Sequence, residues 1–527
     1  MKKFAFVAAL SVCAVSLISL APAQDMSKKI LPTMRFNVKA AVERTPEQMD
    51  AFDATFVSPG QVREAAVRPT MDEAQYAAMK HAADLAPRMA SRPDALPATS
   101  PLAAISTKFA GASECDAGSG CWIPPDVAGS IGKSQFVSTS NDVFEVRSKG
   151  GTLLSTKSLN GLFGYSTQSM FDPRVQYDEE FQRWIVTADA FPENSSVQIF
   201  GLAVSKTSSA TGSWYIYLFN VTGIGGAGSF FDYPMLGISQ DALLVTANIF
   251  SPFQGSSLFS IAKARVYNGF GFSVPVFTGL QATLEPAHQL LTDQNPYSWL
   301  AAAPGNSSVI DMYYEGFAAN AFSAFIGGPF SVSGVPGFSF PPSAPQPSAC
   351  GGATLDTLDN RFQNAGTQNG DLYYQVHTVA NGSFAEPRYY IISGLLSFAP
   401  AVAVWHDVFA NGSSWDFNPS VASDPAGHFG LNWSTTTPAA GFPNGNPGMH
   451  FADNNGGNPS GTSGINVLTS ASCYTSGSPQ RWGDYSQVSI DPGPGSVSNT
   501  NTKIFWPVNE TVPSVNFWST EIAKIIW

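Results

Sequence analysis

The chain has 527 residues and a formal net charge of −12, with 27 Lys and Arg against 39 Asp and Glu. That balance argues against a nucleic-acid or anionic-membrane partner, because both are bound through clustered basic side chains. Charged residues make up only 13%, while 47 Gly, 38 Pro and 12% aromatics give the composition of an exported all-β protein with many turns.

The first element is a secretory signal peptide, residues 1–23. Lys2 and Lys3 form its positive end, 4–20 its apolar run, and Ala21-Pro22-Ala23 a small-residue cleavage site. No later apolar run reaches spanning length. The mature protein is expected to be soluble, monomeric, and secreted or periplasmic. Cys13 leaves with the signal. Cys115, Cys121, Cys350 and Cys473 remain, an even number for an oxidising compartment. Of three pairings, Cys115–Cys121 closes a tight Gly-rich loop and is favoured, leaving Cys350–Cys473 to join two late segments. A metal site would call for C-x-x-C spacing or nearby His, and neither is present.

Residues 24–101 form an arm and linker. Thr45-Pro46-Glu47-Gln48 is a capping box with Pro at the first helical position. Thr70-Met71-Asp72-Glu73 is a second, opening a run of helix formers to Met89. One or two helices are expected, as a propeptide, a packing arm or a loose tail.

From 102 to 527 the pattern is strands. Short runs at 134–138, 143–147 and 152–159 are separated by Asn-Asp and Lys-Gly-Gly turns, and longer runs follow at 183–188, 197–204, 214–219 and 241–248. Gly-rich and Pro-rich stretches at 327–352 and 441–464 read as long loops, and 515–527 as an outer strand that closes a ring. Seven times a phrase recurs in which a polar residue precedes a strand-like run. Its polar residues are Asp126, Asp172, Asp232, Glu285, Asp359, Asn418 and Asp484. Spacings of roughly 45 to 75 residues between all-β units are those of propeller blades. The expected fold is an all-β propeller with a short helical N-terminal arm. It has seven blades, or six if the first and last segments share a sheet. If each phrase opens an innermost strand, the seven polar groups ring one mouth of a central channel.

Five segments carry a resemblance. They are Pro124-Pro125-Asp126-Val127-Ala128-Gly129, Phe171-Asp172-Pro173-Arg174-Val175 with Arg183-Trp184, Asp232-Tyr233-Pro234, Tyr374-Gln375-Val376-His377-Thr378, and Arg481-Trp482-Gly483-Asp484-Tyr485. Across roughly 120 to 527 the chain resembles secreted bacterial β-propeller proteins, mostly uncharacterised and loosely sialidase-like. The resemblance implies a propeller fold and export, and little about activity. The Ser-x-Asp-x-Gly-x-x-Trp box of sialidases is missing.

Clustered carboxylates raise one another's pKa, which suits acid–base chemistry or a cation. A pair of them could hydrolyse a glycoside, several could bind Ca²⁺, or each could simply cap its own turn. Asp172, Asp232 and Asp484 are the candidate acid, base or nucleophile, with His377 as a further catalytic candidate. Arg174, Arg361 and Arg481 lie within three residues of a phrase, and their planar forks could hold an acidic substrate or pair with the ring. Tyr233 and Tyr485 could stack on sugar rings, and Trp482 reads as packing. Asp453-Asn454-Asn455-Gly456-Gly457 resembles a calcium loop but lacks its closing acid. Metalloprotease, P-loop, nucleophile-elbow and dinucleotide motifs are missing. The leading expectation is an exported glycoside hydrolase acting on a glycan. The alternative is a propeller that binds a glycan, peptide or protein without turnover.

Overall fold

The computed structural model describes residues 29–526, apart from 58–60, 64–67, 88, 90–102, 117–120, 192–196, 227, 317–323, 438–444, 456, 478 and 494–502. The expected signal peptide and the expected linker lie outside the described residues. So does one glycine of the calcium-like loop, in which Asp453 Oδ1 accepts the Asn455 N–H at 2.8 Å, a local turn.

The described residues form seven antiparallel four-stranded blades, the number expected. Their innermost strands are Ala128–Ile131, Ser169–Asp178, Phe230–Ile238, Glu285–Pro286 continued by His288–Gln289, Thr367–Asn369, Trp415–Ser423 and Gln487–Ile490. Runs of Val, Ile, Phe and Trp form the strands because their branched and aromatic side chains pack on pleated, doubly covered faces. Adjacent blades share apolar layers. Ile185 and Phe200 of blade two meet Leu243 and Phe259 of blade three. Trp299 and Tyr314 of blade four meet Tyr373 and Tyr390 of blade five. Trp482 packs with Phe417, Tyr474 and Trp518, as expected of it.

Ring closure differs from expectation. Phe517–Ile526 is the third strand of blade seven, and its outermost strand is Ala104–Ser113, from the start of the domain. First and last segments do share a sheet, yet 128–158 makes a complete blade of its own, so the count stays at seven. Both disulfides form as paired in the sequence reading. The expected long loops begin later or are interrupted, because Phe325–Ser331 and Gly448–Asp453 are blade strands.

The arm is a belt. Lys29–Ile30, Met34–Val38 and Val42–Arg44 add a fifth strand to blades four, three and two in turn. Helix α1 (Pro46–Asp53), capped by the Thr45 box, places Asp53 where it accepts from Ser158 at the end of blade one. Helix α2 (Glu73–Asp84) starts later than expected, because Asp72 rather than Thr70 accepts the Gln75 N–H at 2.9 Å. No described helix is long and apolar enough to cross a membrane.

The repeated phrase has a backbone cause. Strand register breaks between Phe171 and Arg174, Asp232 and Met235, and Phe417 and Ser420. At these bulges Asp172, Tyr233 and Asn418 have φ of 50°, 61° and 52°, and Asp126 has 47°. Asp and Asn tolerate this left-handed region better than other side chains, and a bulge bends the strand into the channel. Asn418→Val should therefore cost about 3 kcal/mol, from strain and the lost bond to the Gly483 carbonyl at 2.7 Å. Asn418→Gly should cost about 1 kcal/mol. Denaturant unfolding of both variants checks this.

Candidate functional site

All seven innermost strands run the same way, from the phrase end of the channel to the far end. Asp172, Asp232, Glu285 and Asn418 lie in those strands, and Asp126, Asp359 and Asp484 lie on the chain entering them. The seven groups come together, but as a closed lattice in which every one is buried. Asp126 Oδ1 accepts the Asp484 N–H at 2.6 Å and its Oδ2 accepts from Asn141 at 2.6 Å, tying blade seven to blade one. Asp172 accepts the Tyr485 hydroxyl at 2.7 Å. Asp359 holds Arg361 through two bonds of 2.9 and 2.7 Å. Asp484 pairs with Arg481 at 3.0 Å.

The arginines are committed to the same lattice. The Arg174 guanidinium lies 3.2 Å from the centre of the Tyr485 ring and donates to the Pro234 carbonyl at 2.9 Å. Arg361 lies 5.0 Å from the Tyr233 ring, which packs 5.0 Å from Tyr485. These residues plug the phrase end of the channel. The geometry is nearer to internal pairing than to an open acidic cleft.

Four polar groups of this lattice are incompletely satisfied. Both Glu285 carboxyl oxygens, the Tyr233 hydroxyl, Asp232 Oδ1 and Asn418 Oδ1 are buried without a hydrogen-bond partner. Burial pushes the Glu285 carboxyl well up, against the pull of Arg174 and Arg361. Burial also raises Asp484, opposed by Arg481 and reinforced by Asp126. Among the described residues, no group of three or more His, Cys, Asp or Glu is arranged to hold a metal ion.

The arm crosses this mouth. Arg68 pairs with Asp232, and its carbonyl accepts from Arg361 at 3.0 Å. Lys80 of α2 donates to the Leu358 carbonyl at 2.6 Å, beside Asp359. Tyr76 packs edge-on against Phe340 at 5.3 Å.

His377 is not on an innermost strand. It lies on the second strand of blade five, between Phe338 and Phe362. Its Nδ1 is 2.7 Å from the Asn360 carbonyl and its Nε2 3.0 Å from the Tyr390 hydroxyl. Burial holds its pKa down to about 3. That is the setting of a structural histidine.

The far end of the channel is open. A cavity at this end is lined by all seven innermost segments. Arg174 forms its floor. Gln176, His288, Thr367, Ser423 and Ser489 supply polar groups, and Leu290 and Ile490 apolar ones. Neighbouring strands are stitched here by side chains. Gln487 accepts from the Gly129 N–H at 3.1 Å and donates to the Val175 carbonyl at 3.2 Å, and Ser489 accepts from the Ile131 N–H at 3.2 Å. Glu179 stands at the rim, its pKa pushed up to about 7 by burial and by Asp178 and Asp491. Sequence reading missed this end because its residues recur in type but follow no fixed phrase. It missed Arg68 because nothing local distinguishes that arginine from other arm charges.

Stability should depend on pH with a definite sign. Burial pushes Asp189, Glu285 and Glu510 well up, and Glu315 to about 8. Such acids stabilise the fold fully below their unfolded pKa and lose that contribution as pH rises through the folded value. His377 and His450, held at about 3 and about 4 by burial, act oppositely and only below about pH 6.5. The melting temperature should rise as pH falls from about 8 to about 6.5, then level or fall. Each acid that stays neutral contributes about 1.4 kcal/mol per pH unit. Glu315→Gln should flatten the rise, and melting curves across this window check it.

No protein-family model matches the chain, and no curated protein matches it. Solved structures similar to it include an exo-β-1,3-galactanase from Phanerochaete chrysosporium. That match has 11% identity and a TM-score of 0.30, covering 63% of this chain and 78% of that one. A Trypanosoma rangeli sialidase matches at 10% identity and a TM-score of 0.34, over 73% and 56%. A Saccharomyces cerevisiae Dbp5 complex with Nup159 and Gle1 matches at 10% and 0.36, over 83% and 99%. At these values the seven-bladed fold rests on the chain's own strand pairing.

Proposed function

We propose that the protein is an exported propeller that binds a neutral glycan in the far-end cavity of its channel. The observation that carries this is the cavity itself. It lies among all seven innermost segments, and Ser130, Gln176, Thr367, Ser423 and Ser489 bring hydroxyl or amide groups to it from five of the blades. Hydroxyls and amides both donate and accept, which matches a polyhydroxyl ligand better than an ion. Thermal melting of the mature protein against neutral oligosaccharides and acidic sugars tests it. A neutral glycan should raise the melting temperature without being degraded. A shift confined to acidic sugars, or no shift at all, would overturn the reading.

A glycoside hydrolase acting at the phrase end is the second reading. The raised pKa of Asp484 and the unpartnered Asp232 Oδ1 favour it, with Asp172, Asp232 and Asp484 as acid, base or nucleophile. Arg174, Arg361 and Arg481 would then hold the substrate and Tyr233 and Tyr485 stack on it. This reading needs the arm to move and the arginines to exchange partners. Product formation that is lost on Asp484→Asn would support it over the first.

A further inference from the structure

The arm does more than cover the phrase end, because one of its side chains occupies that end in the manner of a ligand. The Arg68 guanidinium pairs with Asp232 and lies 4.5 Å from the centre of the Phe230 ring and 6.0 Å from that of Phe250. The Arg68 carbonyl accepts from Arg361 at 3.0 Å, and Asp359 holds Arg361 in place with two bonds of its own. An aromatic face, a carboxylate and a side-chain donor to the main-chain carbonyl are therefore set around one arginine residue. A planar guanidinium uses all of the first two features, since it stacks on rings and forks onto carboxylates, whereas an ammonium does so poorly.

The cradle also holds carboxyl oxygens that Arg68 does not engage. Asp232 Oδ1 has no hydrogen-bond partner. Asp189, beside it on the second strand of blade two, is 2% exposed and has no partner on either oxygen. Buried polar atoms left unpaired are costly, and they mark a place where a further donor fits. The site can be reached, for 22% of the Arg68 side chain remains exposed.

We propose that the phrase end is a recognition site for an arginine residue of an extended peptide, and that Arg68 fills it in cis. The site is separate from the far-end cavity and does not depend on the glycan reading. A tethered arginine competes at high effective concentration, so the intact chain binds such a peptide weakly until Arg68 is displaced. Arg361 reading the carbonyl is the reason the ligand is a peptide residue rather than a free guanidinium ion.

The test is calorimetric titration of the full chain and its Arg68→Ala variant with N-acetyl-arginine methylamide and the lysine equivalent. Arg68→Ala should bind the arginine probe at least about tenfold more tightly than the intact chain does. It should also prefer that probe to the lysine one by about tenfold, and adding Asp232→Asn should abolish binding. No binding by Arg68→Ala, equal binding of the two probes, or indifference to Asp232→Asn would overturn the proposal. If Arg68→Ala does not fold alone, refolding it with each probe replaces titration. Recovery of a cooperative transition with the arginine probe only supports the site, and recovery with neither or both overturns it.

Discussion

A chain that begins at Cys115 is expected to show no cooperative thermal transition, whereas one that begins at Ala103 keeps one. The difference is the strand Ala104–Ser113. It pairs with Phe517–Ile526 along nearly its whole length, and that pairing is the strand ladder that joins the start of the propeller to its end in blade seven. Without it, the edge carrying Ile522 and Ile525 faces solvent and the ring has lost its outermost lock. The closing interface also loses the Glu114 N–H bond to the Trp518 carbonyl at 3.1 Å. The chain beginning at Ala103 loses the arm, whose belt strands add to finished blades. Its melting temperature should fall, but blade closure survives. Scanning calorimetry of the two chains checks this, and identical curves would contradict the closure described.

The second large effect lies at the far end. Lys263→Met should destabilise the protein by about 3 to 5 kcal/mol, the cost of stranding a buried charge. Lys263 opens the short helix Lys263–Val266 of blade three, and its Nζ is 2.7 Å from Asp178 Oδ2, with both side chains almost wholly buried. Asp178 also accepts the Tyr267 hydroxyl at 2.6 Å and the Phe181 N–H at 3.0 Å. Burial alone would raise the Asp178 pKa, but Lys263 and these donors outweigh it and hold it low. In Lys263→Met the carboxylate keeps its neutral donors and loses its countercharge. Replacing both, as Lys263→Met with Asp178→Leu, should recover most of the loss, because no charge is then left unpaired. Urea unfolding of the three proteins decides it, and an undiminished deficit in the double variant would rule out the stranded charge as the cause.

Much of the fold was legible because it repeats. The phrase around Asp126, Asp172 and Asn418 is visible in the sequence since a left-handed backbone position selects Asp and Asn, and it recurs at these three residues. Strands such as Arg183–Phe191 and Ala242–Phe250 were legible from their β-branched and aromatic runs. Closure was not, because pairing between residues 104–113 and 517–526 leaves no local mark on either segment. The candidate site was legible only as a set of residue types. Convergence of carboxylates and arginines follows from the propeller, but whether they face solvent or one another depends on the arm. Arg68 and Lys80 settle that from far away in sequence, and composition gave no sign of it. His377 was drawn to the channel by its strand-like neighbours, yet it sits one strand further out, where alternation points it into aromatic packing.

The most direct measurement is titration calorimetry of the mature protein with a neutral oligosaccharide that raises its melting temperature, repeated on Gln176→Leu and Asp484→Asn. Gln176 lines the far-end cavity and Asp484 belongs to the phrase-end lattice. Binding that is lost in Gln176→Leu and retained in Asp484→Asn is the result expected of a far-end glycan site. Binding that survives Gln176→Leu and disappears in Asp484→Asn would contradict it and return the working site to the acidic mouth.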